Sequence, residues 1–320
     1  MAYQSFDNQK GDSDSESKLA RLFFPSSFSG KSFLDIGCNE GFFCHEAIKR
    51  GATEAVGIDS DSAVLERATA RAVGKKIRYI NTSWWDIPDR QFDIILMSSA
   101  LHYEPNPRAL ANEICKRLRP KGLFILEAGI YCLSDERIFV DVQRHDGSLL
   151  FPTRNTLIED VLSAFAVRYV GPSIFQSGDP LERHVFHCQK KRPVALVFWG
   201  ESGSGKSYVS SALALKANVP RFDHDHLLGI IARNEFSSHD RIVKEISSSF
   251  DVSKIYKLVD DFVKQGRSAE LANLFAKHVN GEADLVMVDG YSFIYPEIRE
   301  PFAAALRLRG FDVWFAGKMQ

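Results

Sequence analysis

From Lys31 onward, short apolar runs alternate with helical patterns: SFLDIG, an amphipathic stretch to Arg50, AVGID, a second helix, IRYIN, FDIILMSS, a helix over residues 110–118, and GLFILEAG. Strands spaced by helices of this length need crossover connections, which predicts a parallel sheet with helices on its faces. The rhythm then changes. Residues 151–165 read as a loop and a helix. VRYVG and RHVFHCQ follow as two β-rich runs around a polar loop with Gly178 and Pro180, which predicts a closing hairpin.

QKKRP, at residues 189–193, is composed like a linker, and the alternation restarts behind it. VALVFW reads as a buried strand, followed by a glycine loop and a helix. A short run at residues 219–222 precedes largely helical sequence to about Asn280, the strand DLVMVD, a helix ending near Arg309 and a last strand, FDVWFA. The expectation is α/β throughout, with two doubly wound domains: an arm over residues 1–30, a first domain over 31–190 and a second over 194–320. A chain of 320 residues fits two domains at about 100–200 residues each. So short a linker makes them near neighbours instead of freely tethered modules.

Hydrophobic residues make up 45% of the chain and charged residues 25%, which argues against wholesale disorder and a fibrous repeat. A net charge of −1 argues against retention on nucleic acid or an acidic membrane by bulk charge, without excluding a nucleic-acid substrate. The longest apolar runs fall far short of the roughly 20 residues a spanning helix needs. The polar start, MAYQSFDNQKGDSDSESK, lacks the apolar stretch of a secretory signal and reads as a frayed arm leading into a short helix, so a cytoplasmic location is expected. Cys38, Cys44, Cys115, Cys132 and Cys188 are an odd set without a C-x-x-C pair, which suits reduced thiols better than a disulfide or zinc framework.

Two loops carry the chemistry. FLDIGCNEGFF places Asp35, Gly37, Asn39 and Gly41 directly after the first strand, where glycine lets backbone approach a ligand and begin a helix beneath it. Eighteen residues after Gly41, AVGID ends the next strand on Asp59, and an acid there can accept both hydrogens of a ribose diol.

Across residues 31–189 this pattern resembles the class I S-adenosylmethionine (SAM) methyltransferases. The resemblance implies a seven-stranded Rossmann-like sheet. It puts Asp35, Gly37, Asn39 and Gly41 at the methionine and ribose end of SAM, and Asp59 on the ribose hydroxyls. Ser83 and Trp84 of NTSWWDIP would lie by the adenine, with Asp86 close behind, and Ser98 would face the transferable methyl. The arm would fold over bound cofactor. A dinucleotide loop would instead need glycine where Asn39 and Phe42 stand. In ALHYEPNP, His102 is a candidate general base, with a structural turn as the plain alternative. Arg144, His145, Arg154, Arg183 and His184 could grip an anionic acceptor or simply be solvated.

GESGSGKS, at residues 200–207, fits G-x-x-x-x-G-K-[ST] between an apolar strand and a helix. Gly200, Ser202, Gly203, Ser204 and Gly205 would wrap phosphate with backbone N–H groups, Lys206 would reach its outer oxygens, and Ser207 would bind Mg²⁺. RFDHDH offers Asp223 and Asp225 on alternate positions, and VMVDG ends on Asp289. This arrangement resembles the P-loop small-metabolite and polynucleotide kinases. It implies Asp223 near Mg²⁺, Asp225 as the base for a substrate hydroxyl or as a helix cap, and Asp289 in the magnesium's outer shell. Such kinases carry an arginine-bearing lid and a fifth strand after the fourth, which the sequence up to FAGKMQ does not offer. Charge stabilisation is then expected from Lys206, Mg²⁺ and an arginine such as Arg233, Arg241 or Arg267, or from the neighbouring domain or subunit.

These readings combine into a bifunctional transferase with SAM, ATP and Mg²⁺ as cofactors: a kinase phosphorylates a hydroxyl, and a methyltransferase acts on the same acceptor. The organisation is loosely similar to the methyltransferase and kinase pair that caps bacterial O-antigen polysaccharides, so a glycan or small molecule, anionic in one version, is the expected acceptor. RNA end modification and a methyltransferase with a regulatory nucleotide-binding module are the alternatives.

Overall fold

A computed structural model describes residues 4–6, 11, 13–144, 147–175, 179–236, 238–249, 255–279 and 283–317. The chain divides into two compact units, residues 1–191 and 192–320.

The first unit runs α1 (Ser15–Leu22), β1 (Ser32–Ile36), α2 (Phe42–Lys49), β2 (Glu54–Asp59), α3 (Ser62–Arg71), β3 (Ile77–Asn81), β4 (Phe92–Ser98), α4 (Pro107–Arg117), β5 (Leu118–Gly129), β6 (Phe139–Arg144), β7 (Gly147–Pro152), β8 (Phe165–Pro172) and β9 (Arg183–Lys190). Its main sheet has the order β3-β2-β1-β4-β5-β9-β8, and β9 pairs antiparallel with both neighbours. The expected closing hairpin is therefore β8 and β9. Every residue of β1 is buried, as a central parallel strand covered on both faces must be. Leu34, Ile36, Ile95, Met97 and Leu126 pack on one face of the sheet. Phe33, Ile94, Leu96 and Ile125 pack on the other, with Phe24, Phe28 and Phe43.

Two local expectations fail. β6 and β7 pair antiparallel in a separate two-stranded sheet, although Phe151 reads as loop in the sequence. The helix expected behind it is a π-helical turn, Thr156–Val161. There the Thr153 hydroxyl accepts the Thr156 N–H at 3.3 Å, while Leu157 and Val161 are drawn into the core. His145 and Gly178 lie outside the described residues.

The second unit runs β10 (Val194–Trp199), α5 (Lys206–Ala217), β11 (Arg221–Asp223), α6 (His224–Ala232), α7 (Arg241–Ser249), α8 (Ile255–Lys264), α9 (Ser268–His278), β12 (Leu285–Asp289), α10 (Pro296–Leu308) and β13 (Asp312–Gly317). Its four strands are parallel in the order β11-β12-β10-β13. One sheet face is covered by Leu228, Phe275, Phe293, Phe302 and Leu306 from the helices. On the other, α5 buries only Ser210 and Ala214. No helix among the described residues is long and apolar enough to cross a membrane.

Candidate functional site

In the first sheet, β2 and β3 lie to one side of β1 while β4 and β5 lie to the other, so a crevice opens beyond the carboxyl ends of the strands. A cavity of about 570 Å³ occupies it, within the range of small-molecule sites. Each strand end contributes a wall: Asp35, Gly37 and Asn39 at the end of β1 and just beyond it, Asp59 closing β2, Ser83 and Trp84 after β3, Ser98 and Ser99 at the end of β4.

The carboxylate of Asp59 accepts the Asn39 N–H at 2.8 Å on one oxygen and the Asp61 N–H at 3.0 Å on the other. One lone pair on each oxygen is left, which is what a vicinal diol requires. Asp35 is buried, and its pKa is pushed up to about 8, first by that burial and then by the Asp59 charge. Trp84 is held by its indole N–H, which donates at 2.7 Å to Oε2 of buried Glu104; the Trp85 indole donates to the same oxygen at 3.0 Å.

Gly41 and His102 do not line this cavity. Gly41 has a φ of +85°, and a Cβ there would fall 1.9 Å from the Tyr79 hydroxyl, so its role is the tight approach that seats α2. The His102 ring stacks on Phe151 at 5.2 Å and stays outside the wall, which Tyr103 reaches. Asp86 also stays outside the wall and accepts from Thr82 Oγ1 at 3.4 Å.

The amino-terminal arm adds groups that sequence reasoning missed. Gln4, Ser13, Ser15 and Lys18 line the cavity. The Gln4 amide donates to the Cys38 carbonyl at 3.3 Å and accepts the Phe42 N–H at 2.9 Å, clasping the glycine loop. Lys18 is paired with Glu127, which also accepts from Ser98 at 2.6 Å and Ser99 at 2.5 Å. Burial alone would push the Glu127 carboxyl up, but Lys18 and the serine hydroxyls hold it below its ordinary range. Arg183 joins this cluster, donating to Ser99 at 2.7 Å and pairing with Asp179. Arg154 and His184 make other contacts. The Arg154 guanidinium lies over Tyr169, and His184 meets Cys132 and Tyr169.

In the second unit, the chain passes from β10 to β11 and β12 on one side, then crosses to β13 on the other. A second cavity, about 690 Å³, opens beside β10 and β13 and is lined by Trp199, Gly200, Glu201, Ser204, Gly205 and Lys206, among others. Ser202, Gly203 and Ser207 stay outside its wall. Ser202 instead meets the Tyr256 hydroxyl at 3.2 Å, and the Ser207 carbonyl accepts from Ser210 at 3.2 Å.

The carboxylates expected around Mg²⁺ are already engaged. Arg221 donates to both oxygens of buried Asp289 at 2.8 Å and to Asp223 at 2.9 Å, and Ser210 donates to Asp289 at 2.7 Å. Asp223 also caps α6, accepting the His226 N–H at 2.9 Å. Arg221 therefore already holds oxygens of Asp223 and Asp289 that a divalent cation would compete for. Among the described residues no cluster of three acidic, histidine or cysteine side chains could hold a metal. Asp225 does not cap the helix; both its oxygens face the Tyr291 N–H, at 2.9 and 3.0 Å. Burial raises its pKa, and the Tyr291 N–H and Lys206 pull it back. Arg233 and Arg267 pair with glutamates of the helical insert, Glu235 and Glu245.

The strand order and the crevice at the switch point of β1 and β4 are those of a Rossmann-like α/β domain. Residues 34–126 match the family model for a methyltransferase domain. An uncharacterized methyltransferase of Mycobacterium sp. (strain KMS) is 33% identical over 104 residues, covering 32% of this chain and 40% of the relative. A ribosomal protein L11 methyltransferase of Laribacter hongkongensis is 32% identical over 103 residues, covering 30% and 32%. The chain thus spans about two fifths or less of the length of these relatives. A solved putative SAM-dependent methyltransferase from Listeria monocytogenes covers 55% of this chain and 100% of its own, at 19% identity and a TM-score of 0.46.

Proposed function

We propose that the first domain transfers the methyl group of SAM to a nucleophile on a small-molecule or glycan acceptor, and that the second is an ATP-dependent kinase for a hydroxyl of that acceptor. The methyl-transfer reading rests on one observation: Asp59, Asp35, Ser83, Trp84 and Ser98 share a single cavity wall. When bound, SAM supplies an electrophilic methyl sulfonium. The residues of the chain then bind and orient. Asp59 takes the ribose hydroxyls, Trp84 and Ser83 bound the adenine side, and Asp35 offers a carboxylate to the cationic end. The arm residues Gln4 and Lys18 restrict water, and the acceptor enters past Ser99 and Tyr103. Positioning of this kind supplies most of what an in-line transfer needs.

The kinase reading is supported by the GESGSGKS loop and by Asp225, which is near Lys206 and whose raised pKa suits it to take a proton from a hydroxyl. The Arg221 clamp on Asp223 and Asp289 favours a second reading, in which the domain binds nucleotide and regulates methyl transfer without phosphorylating anything.

Product mass spectrometry separates these. Candidate glycans and RNA are incubated with SAM, with ATP and with both, using the wild type, Asp35→Ala and Lys206→Ala. A methyl and a phosphate on one molecule support the bifunctional enzyme, with each variant losing one addition. Methylation that responds to ATP without any phosphorylated product supports the regulator. No methylated product with any acceptor class sinks the main reading.

A further inference from the structure

At the far side of the first sheet, three side chains carry chemistry that methyl transfer does not use. The order β5-β9-β8 sets the start of β9 between the end of β5 and β8. His184, the second residue of β9, therefore has Cys132, just beyond β5, on one side and Tyr169 of β8 on the other. Its Nε2 lies 3.4 Å from Cys132 Sγ, and its Nδ1 lies 3.0 Å from the Tyr169 hydroxyl. The imidazole is closed in, with His184 only 5% exposed, whereas Cys132 is open to solvent.

A nucleophile, a base within hydrogen-bond reach and a third group that orients the base are the parts of an activated thiol. With Nδ1–H donated to the Tyr169 oxygen, Nε2 turns its lone pair toward the thiol. Two charged groups face the arrangement: Glu182, whose Oε2 is 3.8 Å from Nε2, and Arg154, whose guanidinium lies 4.8 Å from the Tyr169 ring centroid. Burial raises the pKa of the thiol and lowers that of the imidazole, so at pH 7 the pair rests as a neutral thiol and a neutral ring. Passing the proton from Sγ to Nε2 makes the thiolate without changing the protonation of the pair as a whole. The amount formed is then independent of pH between the two pKa values.

Neither of the cavities described above has Cys132 in its wall, so this thiol meets reagents at an open surface and not in a pocket built for turnover. Cys38, Cys44, Cys115 and Cys188 are buried, so a group bonded to Cys132 faces no other exposed thiol of the chain that could displace it.

We propose that Cys132 is a modification site, at which a low-molecular-weight disulfide forms a mixed disulfide with the protein, His184 acting as the base and Tyr169 as its positioning residue. Cys132 Sγ attacks one sulfur of the reagent, and the new S–S bond forms as the old one breaks. The proton taken up by His184 goes to the departing thiolate. The protein thiol is oxidised, the departing half of the reagent is reduced, and no further oxidant is needed.

The reaction of the native full chain with the aromatic disulfide DTNB tests it. One thiol per chain is expected to react at pH 7 at least about tenfold faster in the wild type than in His184→Gln, because an unassisted thiol is only a few per cent thiolate there. Between pH 7 and pH 8 the wild-type rate should stay nearly level, while that of His184→Gln should rise about tenfold. Tyr169→Phe should fall between the two in rate and in slope. Cys132→Ser should lose the fast phase, and oxidised glutathione should leave one glutathione on Cys132, read by peptide mass spectrometry; circular dichroism checks that each variant folds. A fast phase that survives in Cys132→Ser, or the absence of the glutathione adduct, overturns the site. Equal rates and equal pH slopes in the wild type and His184→Gln overturn the role of the imidazole, and a wild-type profile in Tyr169→Phe overturns that of the tyrosine.

Discussion

Lys18, which lines the first cavity, holds its Nζ 3.2 Å from Glu127 Oε2, and both side chains are closed off from solvent. The pair joins α1 to the end of β5 across 109 residues of sequence, so the arm is held by a buried charge as well as by Gln4. Removing one partner strands the other's charge in low dielectric, a loss of about 3–5 kcal/mol, whereas removing both leaves no stranded ion. Lys18→Met is therefore expected to lower the calorimetric melting temperature and weaken SAM binding. The double variant Lys18→Met, Glu127→Gln should recover much of the stability. Equal melting temperatures for the single variant and the wild type would show that the pair contributes nothing.

Asp35 gives the apo protein an opposite pH response to that of an ordinary paired carboxylate. Its pKa is pushed up to about 8 in the fold against an ordinary 3.8, so between those values the folded chain holds a proton that the unfolded chain has released. Its contribution to stability is fully present below about 4 and falls as pH rises to about 8. Asp35→Asn removes that dependence. Urea unfolding at pH 5 and pH 8 should show a smaller drop for the variant than for the wild type. A steeper drop in the variant would mean that the carboxyl is already ionised at pH 5.

Glu104 holds both indoles of the Trp84 and Trp85 pair through one oxygen, while its other oxygen accepts the Asn106 N–H at 2.7 Å. Hydrogen bonds to a charged acceptor contribute about 1.5–3 kcal/mol each. Glu104→Ala should free Trp84 from its place in the cavity wall, lowering SAM affinity about tenfold or more. Tryptophan emission should shift to longer wavelength at the same time. Glu104→Gln, which keeps an acceptor in place, should fall between the alanine variant and the wild type. Unchanged affinity in the alanine variant would remove Trp84 from the site.

Much of the first sheet was legible because parallel strands covered on both faces appear as unbroken apolar runs, and because ligand-side residues follow each run in chain order. Asp35, Asp59, Ser83 and Ser98 could therefore be found one strand end at a time. Contacts made across the fold leave no such local trace. Lys18 lies in a polar arm, and its partner showed only as a single acid in GLFILEAG. Arg221 was within reach, since R-F-D puts Arg221 and Asp223 on one face of a strand, but the carboxylates alone suggested a metal. His102 and Tyr103 differ only in which way one turn points them, a choice made by packing against Phe151. The β6 and β7 pairing had its own signal, the Asp146 and Gly147 pair between two strand-like runs, which the surrounding polar residues obscured.

His224 marks a stability switch in the second domain. Its ring is buried and stacks on Phe275 at 4.3 Å, with Phe293 and Phe302 around it, and neither ring nitrogen has a hydrogen-bond partner among the described residues. Burial, followed by the His278 charge, pushes its pKa down to about 3 from an ordinary 6.5. Between those values the unfolded chain binds a proton that the folded chain refuses. Stability contributed by the neutral ring is thus present above about 6.5 and is lost as pH falls toward 3. His224→Phe keeps a ring in the cluster and has no nitrogens left to satisfy, so it should equal or exceed the wild type in melting temperature at pH 7. At pH 5 the advantage of the variant should widen. Melting of the two proteins in parallel from pH 7 to pH 5, with a constant difference between them, would show that His224 finds a proton acceptor in solution and is not the orphan it is in this fold.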